Sequence, residues 1–372
     1  MYRFQLKPVV YEFKTFREFA QHFNLSPDDM IFTEKQHYER YFRDRVNCRF
    51  ILQDDYGLGE PSDTVIDKIL QDLRGQDIKR IIGIGGGSIL DITKLLCIKD
   101  ATSTEDIFEE RIPLVRDKEL ILIPTTCGTG CEVTAVSVVD MTRQNTKIGK
   151  RIEANFADAA VLIEELLDAI PEKVFLYSSV DALIHAMEIF VARTGNPYND
   201  VFCKEAIRII LSHYKKLIEE GLDKRFAYIR EFLRAATFAG IALSNTACGA
   251  VHAFAMHFGS VHHVPHGEAN ARFLMGVFNK YAELAPEGKL LELSRIINEA
   301  LGIEADLPGS LKALEDLLNT LIPKKRLREY GVKEENIERY VDKVIETQQR
   351  LLVNNYVALS RDDLIAIYRS VY

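Results

Sequence analysis

RIIGIGGGSILDITK, residues 80–94, decides the fold. Arg80 to Ile84 read as a buried strand, Gly85, Gly86, Gly87 and Ser88 follow, and a helix is predicted from about Ile89 with Asp91 and Lys94 in its first turns. Amides at a helix N-terminus carry partial positive charge, and a glycine turn there lets a pyrophosphate approach without meeting Cβ atoms. Gly83 and Gly85 match the first two positions of GxGxxG. Ser88 stands where the third glycine belongs, so this stretch alone fits either a nucleotide site or a tight structural turn. A second turn favours the nucleotide: after ELILIP come Thr125, Thr126, Cys127, Gly128, Thr129 and Gly130, whose hydroxyls and flexible backbone can close over the same phosphates or ribose. Glu34, after DMIFT, can accept the ribose 2′-hydroxyl and so select NAD, or is an ordinary helix-start glutamate. Lys147, in a polar connection, can reach a ribose or is solvated surface.

Working outward, the runs DMIFT, NCRFILQD, KRIIGIGG, KELILIPTT and DAAVLI alternate with helical periods up to about residue 165, the mark of a parallel sheet covered by helices. Beyond Pro171 the pattern is helical throughout, in VDALIHAMEIFVA, FCKEAIRIILSHYKKLIEE, AYIREFLRAATFAGIALS, LLELSRIINEAL, GSLKALEDLLNTLI and ENIERYVDKVIETQQRLL. The expected architecture is an α/β domain, a parallel sheet covered by helices, over residues 1–172 and an all-α domain over residues 173–372. With no linker between them, a cleft at their junction is the expected ligand site.

Five of the nine histidines, His252, His257, His262, His263 and His266, crowd into AVHAFAMHFGSVHHVPHGEAN. Upstream, Asp181 and His185 stand i, i+4 on a predicted helix, which places a carboxylate and an imidazole on one face, with Glu188 continuing that face as a supporting group. Such a pair is often only a structural hydrogen bond, but with the distant cluster it points to a divalent ion bound by oxygen and nitrogen. Counting does not decide which histidines of the cluster bind. His252 lies on an apolar helical stretch, His266 at a Pro265–Gly267 helix start, and at most one of the adjacent His262 and His263 can reach a shared ion.

The 372 residues carry 47 Lys and Arg against 55 Asp and Glu, net −8, with no basic block, so neither nucleic acid nor an anionic membrane is the expected partner; a small molecule is. The N-terminus shows no apolar export signal and the six cysteines are scattered, so reduced thiols and the cytoplasm are expected.

GGGSILDITK (85–94), PTTCGTGCEVT (124–134), DALIHAME (181–188), NPYND (196–200) and the spacing from His252 to His266-Gly267 together resemble the iron-dependent, or group III, alcohol dehydrogenase family, on the dehydroquinate synthase-like scaffold. The match runs in order through nearly the whole chain. The resemblance implies Asp181, His185, His252 and His266 as metal ligands, for Fe2+ with Zn2+ as the alternative. It also implies that residues 1–172 are a dinucleotide-binding domain of Rossmann type and residues 173–372 a helical metal-binding domain, with an NAD site of Gly86, Gly87, Ser88, Asp91, Thr125, Thr126, Thr129 and Lys147, and commonly a homodimer. YGLGEPSD (56–63), HVPHGEAN (263–270), LREYG (327–331) and QQRLLVNNY (348–356) are most similar to the branch acting on 4-hydroxybutyrate. A different short alcohol, or a lyase that recycles its NAD internally, are the other activities this scaffold implies. Three departures stand out: Met256 where the family often has a proton-relaying histidine, leaving His257, His262 or a ribose hydroxyl for that role; Cys131 for a frequent serine; and Asn355-Tyr356-Val357 for a frequent NPR. Arg350 is the expected anchor for a substrate carboxylate, or else an exposed helical arginine following Glu346, with Lys204 and Arg272 as substitutes.

Overall fold

In the computed structural model, which describes residues 3–57, 59, 61–144 and 146–372, the glycine-rich stretch lies near the middle of a six-stranded parallel sheet of order β1-β8-β5-β4-β2-β3. Its strands are β1 (Val9–Phe13), β2 (Asp29–Thr33), β3 (Arg49–Leu52), β4 (Arg80–Gly85), β5 (Glu119–Pro124) and β8 (Ala159–Ile163). Ile82 registers with Ile31 on one side and Ile121 on the other, and all three are fully buried. A strand covered on both faces needs a continuous apolar run rather than alternation, which is why β2, β4, β5 and β8 stand out in the sequence. Helices α1 (Phe16–His22), α2 (Lys35–His37), α3 (Asp63–Leu73), α4 (Gly87–Leu96) and α5 (Thr104–Phe108) complete this unit. Ile66, Ile69, Ile89, Ile92 and Leu95 form part of its core.

The chain steps from β2 outward to β3, then returns to place β4 on the other side of β2 and continues away through β5 and β8. The carboxyl ends of β2 and β4 are therefore a topological switch point, the place where open parallel sheets bind ligands. Glu34 and Gly85–Ser88 follow those two strands.

Three strands are absent from the sequence reading. One is the edge strand β1; the others are β6 (Val136–Met141) and β7 (Thr146–Arg151), an antiparallel pair outside the main sheet. Lys147 is thus not in a loop but on β7, exposed and opposite Asp140. Leu58 and Glu60 of the YGLGEPSD segment lie outside the described residues.

The first compact unit is Gln5–Ile170; the second is Pro171–Tyr372 with Arg3 and Phe4, the Phe4 ring lying 5.5 Å from Tyr198 and 5.8 Å from Phe202. The second unit is helical: α6 (Glu172–Val191), α7 (Pro197–Glu220), α8 (Ile229–Leu243), α9 (Ala250–His262), α10 (His266–Leu284), α11 (Gly288–Leu301), α12 (Leu307–Leu321), α13 (Ile337–Thr347), α14 (Gln349–Leu352) and α15 (Arg361–Ser370). The stretch ENIERYVDKVIETQQRLL, which reads as one helix, breaks at Gln348 into α13 and α14. NPYND is a helix start: Asn196 accepts from the amides of Tyr198 and Asn199 at 3.0 Å, and Pro197 occupies the first turn.

α6 is apolar on nearly every side because α7, α8, α10 and α11 pack around it. By length and composition it is the one described helix able to cross a membrane, with a mean hydropathy of 1.5, but it is buried core. It also carries Asp181, His185 and Glu188.

Candidate functional site

A buried apolar helix holds a carboxylate only if that carboxylate has partners, and those of Asp181 are imidazoles. His185 Nδ1 lies 3.8 Å from Asp181 Oδ2, while His252 Nε2 and His266 Nε2 each lie 3.7 Å from Oδ1. The His185 and His252 rings stack at 4.5 Å, and those of His252 and His266 are 5.4 Å apart. The four residues expected to bind the ion are therefore brought together from α6, α9 and α10. Burial alone would push the Asp181 carboxyl up, but His185, His266 and His252 hold it well below the usual carboxylate range. The pocket is built for positive charge.

Supporting groups fix the geometry. Glu188 Oε2 accepts from His252 Nδ1 at 2.6 Å and its Oε1 from the Val251 amide at 2.7 Å, so one carboxylate orients the ring and satisfies the first turn of α9. With Nδ1 donating, Nε2 of His252 presents its lone pair inward, buried and without a hydrogen bond among the described residues. That donor set fits a divalent ion. Asn270, which the sequence reading missed, donates through Nδ2 to Asp181 Oδ1 at 2.7 Å and to His266 Nε2 at 3.1 Å. Cys248 was missed too: its sulfur and the ligand nitrogens of His185 and His252 lie within 4.8 Å of one another. Asn270 stands at i+4 from His266 on α10, the same spacing that marks Asp181 and His185, whereas Cys248 precedes α9 and no helical spacing marks it.

His266 reaches this cluster because Gly267 follows it. A Cβ on Gly267 would fall 2.2 Å from the Tyr177 carbonyl oxygen of α6, so only glycine lets the first turn of α10 lie against that helix.

The other candidates of the histidine-rich segment lie elsewhere. His257 is five positions beyond His252 and so on another face of α9; its ring packs 4.9 Å from Tyr340. His262 uses Nδ1 on the Tyr330 carbonyl and Nε2 on the Tyr340 hydroxyl, and His263 ends α9 in the left-handed conformation. Arg350 is exposed on α14 with no ion pair among the described residues. Lys204 is paired with Glu292 and Arg272 with the Pro323 carbonyl.

In the first unit, α4 begins at Gly86 with no side-chain cap, leaving its first amides open to a phosphate. The second turn lies beside it: the Thr125 amide donates to the Gly85 carbonyl at 3.0 Å, and a Cβ on Gly87 would come 3.0 Å from Thr129 Cγ2. Gly86, Gly87, Ser88, Thr126 and Thr129 retain exposed surface around this turn, whereas Thr125 is buried. Asp91 points inward instead. It accepts from Cys131 Sγ at 2.8 Å and from the Val138 amide at 3.0 Å, and pairs with the fully buried Lys94 at 3.3 Å. Asp91 therefore fastens the turn from below. Glu34 lies 3.2 Å from His37 Nδ1 and accepts from Gln36 at 2.8 Å, and these neighbours keep its carboxyl below the ordinary value despite burial.

Residues 12–164 match the sequence profile of iron-containing alcohol dehydrogenases and residues 175–372 that of the C-terminal part of the Fe-containing alcohol dehydrogenase family. The chain belongs to the iron-containing alcohol dehydrogenase family. By that membership it is an oxidoreductase of the alcohol dehydrogenase kind. It is 44% identical over 99% of both chains to 4-hydroxybutyrate dehydrogenase of Clostridium kluyveri, and 32% identical over 83% of its length to sulfoacetaldehyde reductase of Bilophila wadsworthia, of which it covers 80%. The crystal structure of a 1,3-propanediol oxidoreductase superposes with a TM-score of 0.86 over all of both chains at 22% identity, a likeness of fold.

Proposed function

We propose that this alcohol dehydrogenase interconverts 4-hydroxybutyrate and succinate semialdehyde with NAD(H) and one divalent ion, Fe2+ or Zn2+. The identity of 44% across the full length of a 4-hydroxybutyrate dehydrogenase carries this reading, and the cluster of Asp181, His185, His252 and His266 supports it. When bound, the metal polarises the alcohol or carbonyl oxygen and the nicotinamide accepts or returns hydride. Asp181, His185, His252 and His266 would hold the ion, leaving one net positive charge to draw an oxygen of the substrate. Glu188 and Asn270 keep two of those ligands aimed. Gly86, Gly87, Ser88, Thr125, Thr126 and Thr129 would take the pyrophosphate and ribose, and Lys147, on β7, is assigned to the ribose. Glu34 would accept the 2′-hydroxyl and repel a 2′-phosphate.

Arg350 is assigned to the substrate carboxylate. Being exposed, it would form an ion pair of the surface kind, worth up to about 1 kcal/mol. We place the enzyme in the cytoplasm as a homodimer, for which the exposed Val9 and Val10 on edge strand β1 offer a pairing surface; sedimentation as a monomer would exclude it.

The test is anaerobic reconstitution with Fe2+ or Zn2+, followed by assays of 4-hydroxybutyrate and 1-butanol with NAD and NADP. We expect the highest kcat/KM with 4-hydroxybutyrate and NAD, loss of both metal and turnover in His266→Ala, and a drop of less than about tenfold for Arg350→Ala with 4-hydroxybutyrate alone. Preference for butanol or for NADP, or a His266→Ala variant with its metal intact, would overturn the corresponding assignment.

A further inference from the structure

The metal pocket holds one donor beyond the oxygen and nitrogen set. Cys248 is 4% exposed, stands four residues before His252, and has its backbone fastened by Asn354, whose Nδ2 donates to the Cys248 carbonyl at 3.3 Å. Two groups of ligand atoms each lie within a 4.8 Å compass: Asp181 with His252 and His266, and His185 with Cys248 and His252. They share His252, whose buried Nε2 has no hydrogen bond among the described residues.

Building on the metal-centre reading above, we propose that Cys248 is a sulfur donor to the ion held at His252, so that the centre offers an oxygen–nitrogen set to harder ions and a nitrogen–sulfur set to softer ones. Thiolate favours softer ions such as Cd2+, whereas Mn2+ is content with carboxylate and imidazole. When the ion enters, the S–H bond breaks, sulfur donates its electron pair to the ion, and the proton passes to solvent, so each soft ion bound releases a proton that a serine variant does not.

The experiment titrates the metal-free full-length protein with Co2+, counts bound ions per chain by elemental analysis, and records the near-ultraviolet thiolate-to-cobalt charge-transfer band. The band should appear in the native chain and in a Cys48→Ser control. It should vanish in Cys248→Ser, which still binds one Co2+ but binds Cd2+ more weakly by on the order of ten- to a hundredfold, with Mn2+ binding little changed. Cadmium NMR of the native protein, which needs no variant, should show the downfield shift of a sulfur ligand. One Co2+ bound with no band, a band that persists in Cys248→Ser, or a cadmium resonance typical of nitrogen and oxygen ligands alone would overturn the sulfur assignment and leave the metal centre standing. Failure of the native chain to bind Co2+ at all would overturn both.

Discussion

A lysine with no exposed surface, Lys94, sits beneath the phosphate turn and donates to Cys131 Sγ at 2.9 Å, to Thr134 Oγ1 at 3.2 Å and to the Val136 carbonyl at 2.7 Å, besides pairing with Asp91. Burial opposes its charge, yet Cys131 and Asp91 raise its pKa above the ordinary lysine value. Lys94→Met strands the Asp91 carboxylate and should destabilise the first unit by about 3–5 kcal/mol, read from urea unfolding; a loss under about 1 kcal/mol would mean the pair contributes little. His257 gives a prediction of pH dependence. Burial, then the neighbouring His262, Lys343 and Arg339, lower its pKa below the ordinary imidazole value. The folded chain thus binds fewer protons than the unfolded one, so this contribution to stability is complete above about pH 6.5 and is lost as pH falls through the lowered value. His257→Phe should flatten the fall of Tm with acidification in that window; an unaltered slope would remove His257 from the account.

At the scale of elements, α6, α9 and α10 meet at the metal pocket because Gly267 removes the obstacle between α10 and the Tyr177 carbonyl. Gly267→Ala should push the start of α10 off α6, lowering metal affinity by about ten- to a hundredfold along with Tm, while NAD binding to the first unit stays intact. Equal loss of NAD binding would point to general misfolding. The same packing logic explains which elements are legible in the sequence. DMIFT is β2 residue for residue, since a strand buried on both faces needs the consecutive apolar residues Met30, Ile31 and Phe32 at its centre. β1 escaped because VVYEF exposes Val9 and Val10 at the sheet edge, where no burial pattern disciplines the sequence. Ser and Asp interrupt β6, and Thr, Lys, Gly and Arg dilute the alternation of β7, so a hairpin outside the main sheet looks like a polar connection. The break at Gln348 carries neither Gly nor Pro, so the periodicity runs through it unmarked.

Across the whole molecule, chemistry is legible where it needs a spacing and silent where it needs only a position. Asp181 and His185 announce themselves as i, i+4 partners, and the glycine turn as a strand-to-helix junction. The crowded histidines mark the second half of the metal site, although only the fold separates His252 and His266 from His257, His262 and His263. Asn270 carries the same i, i+4 signal from His266 and is passed over only because an amide is not an ordinary metal ligand, whereas Cys248, ahead of α9, matters through contacts made in three dimensions. The side chains of Asp181, His185 and His252 are only 4–7% exposed, whereas that of His266 is 47% exposed. Of the four residues proposed to hold the ion, His266 is thus the one that faces solvent, and an ion bound there would exchange its water beside that ring. A chelator should strip the metal at a rate set by detachment of that single imidazole rather than by unfolding of α6.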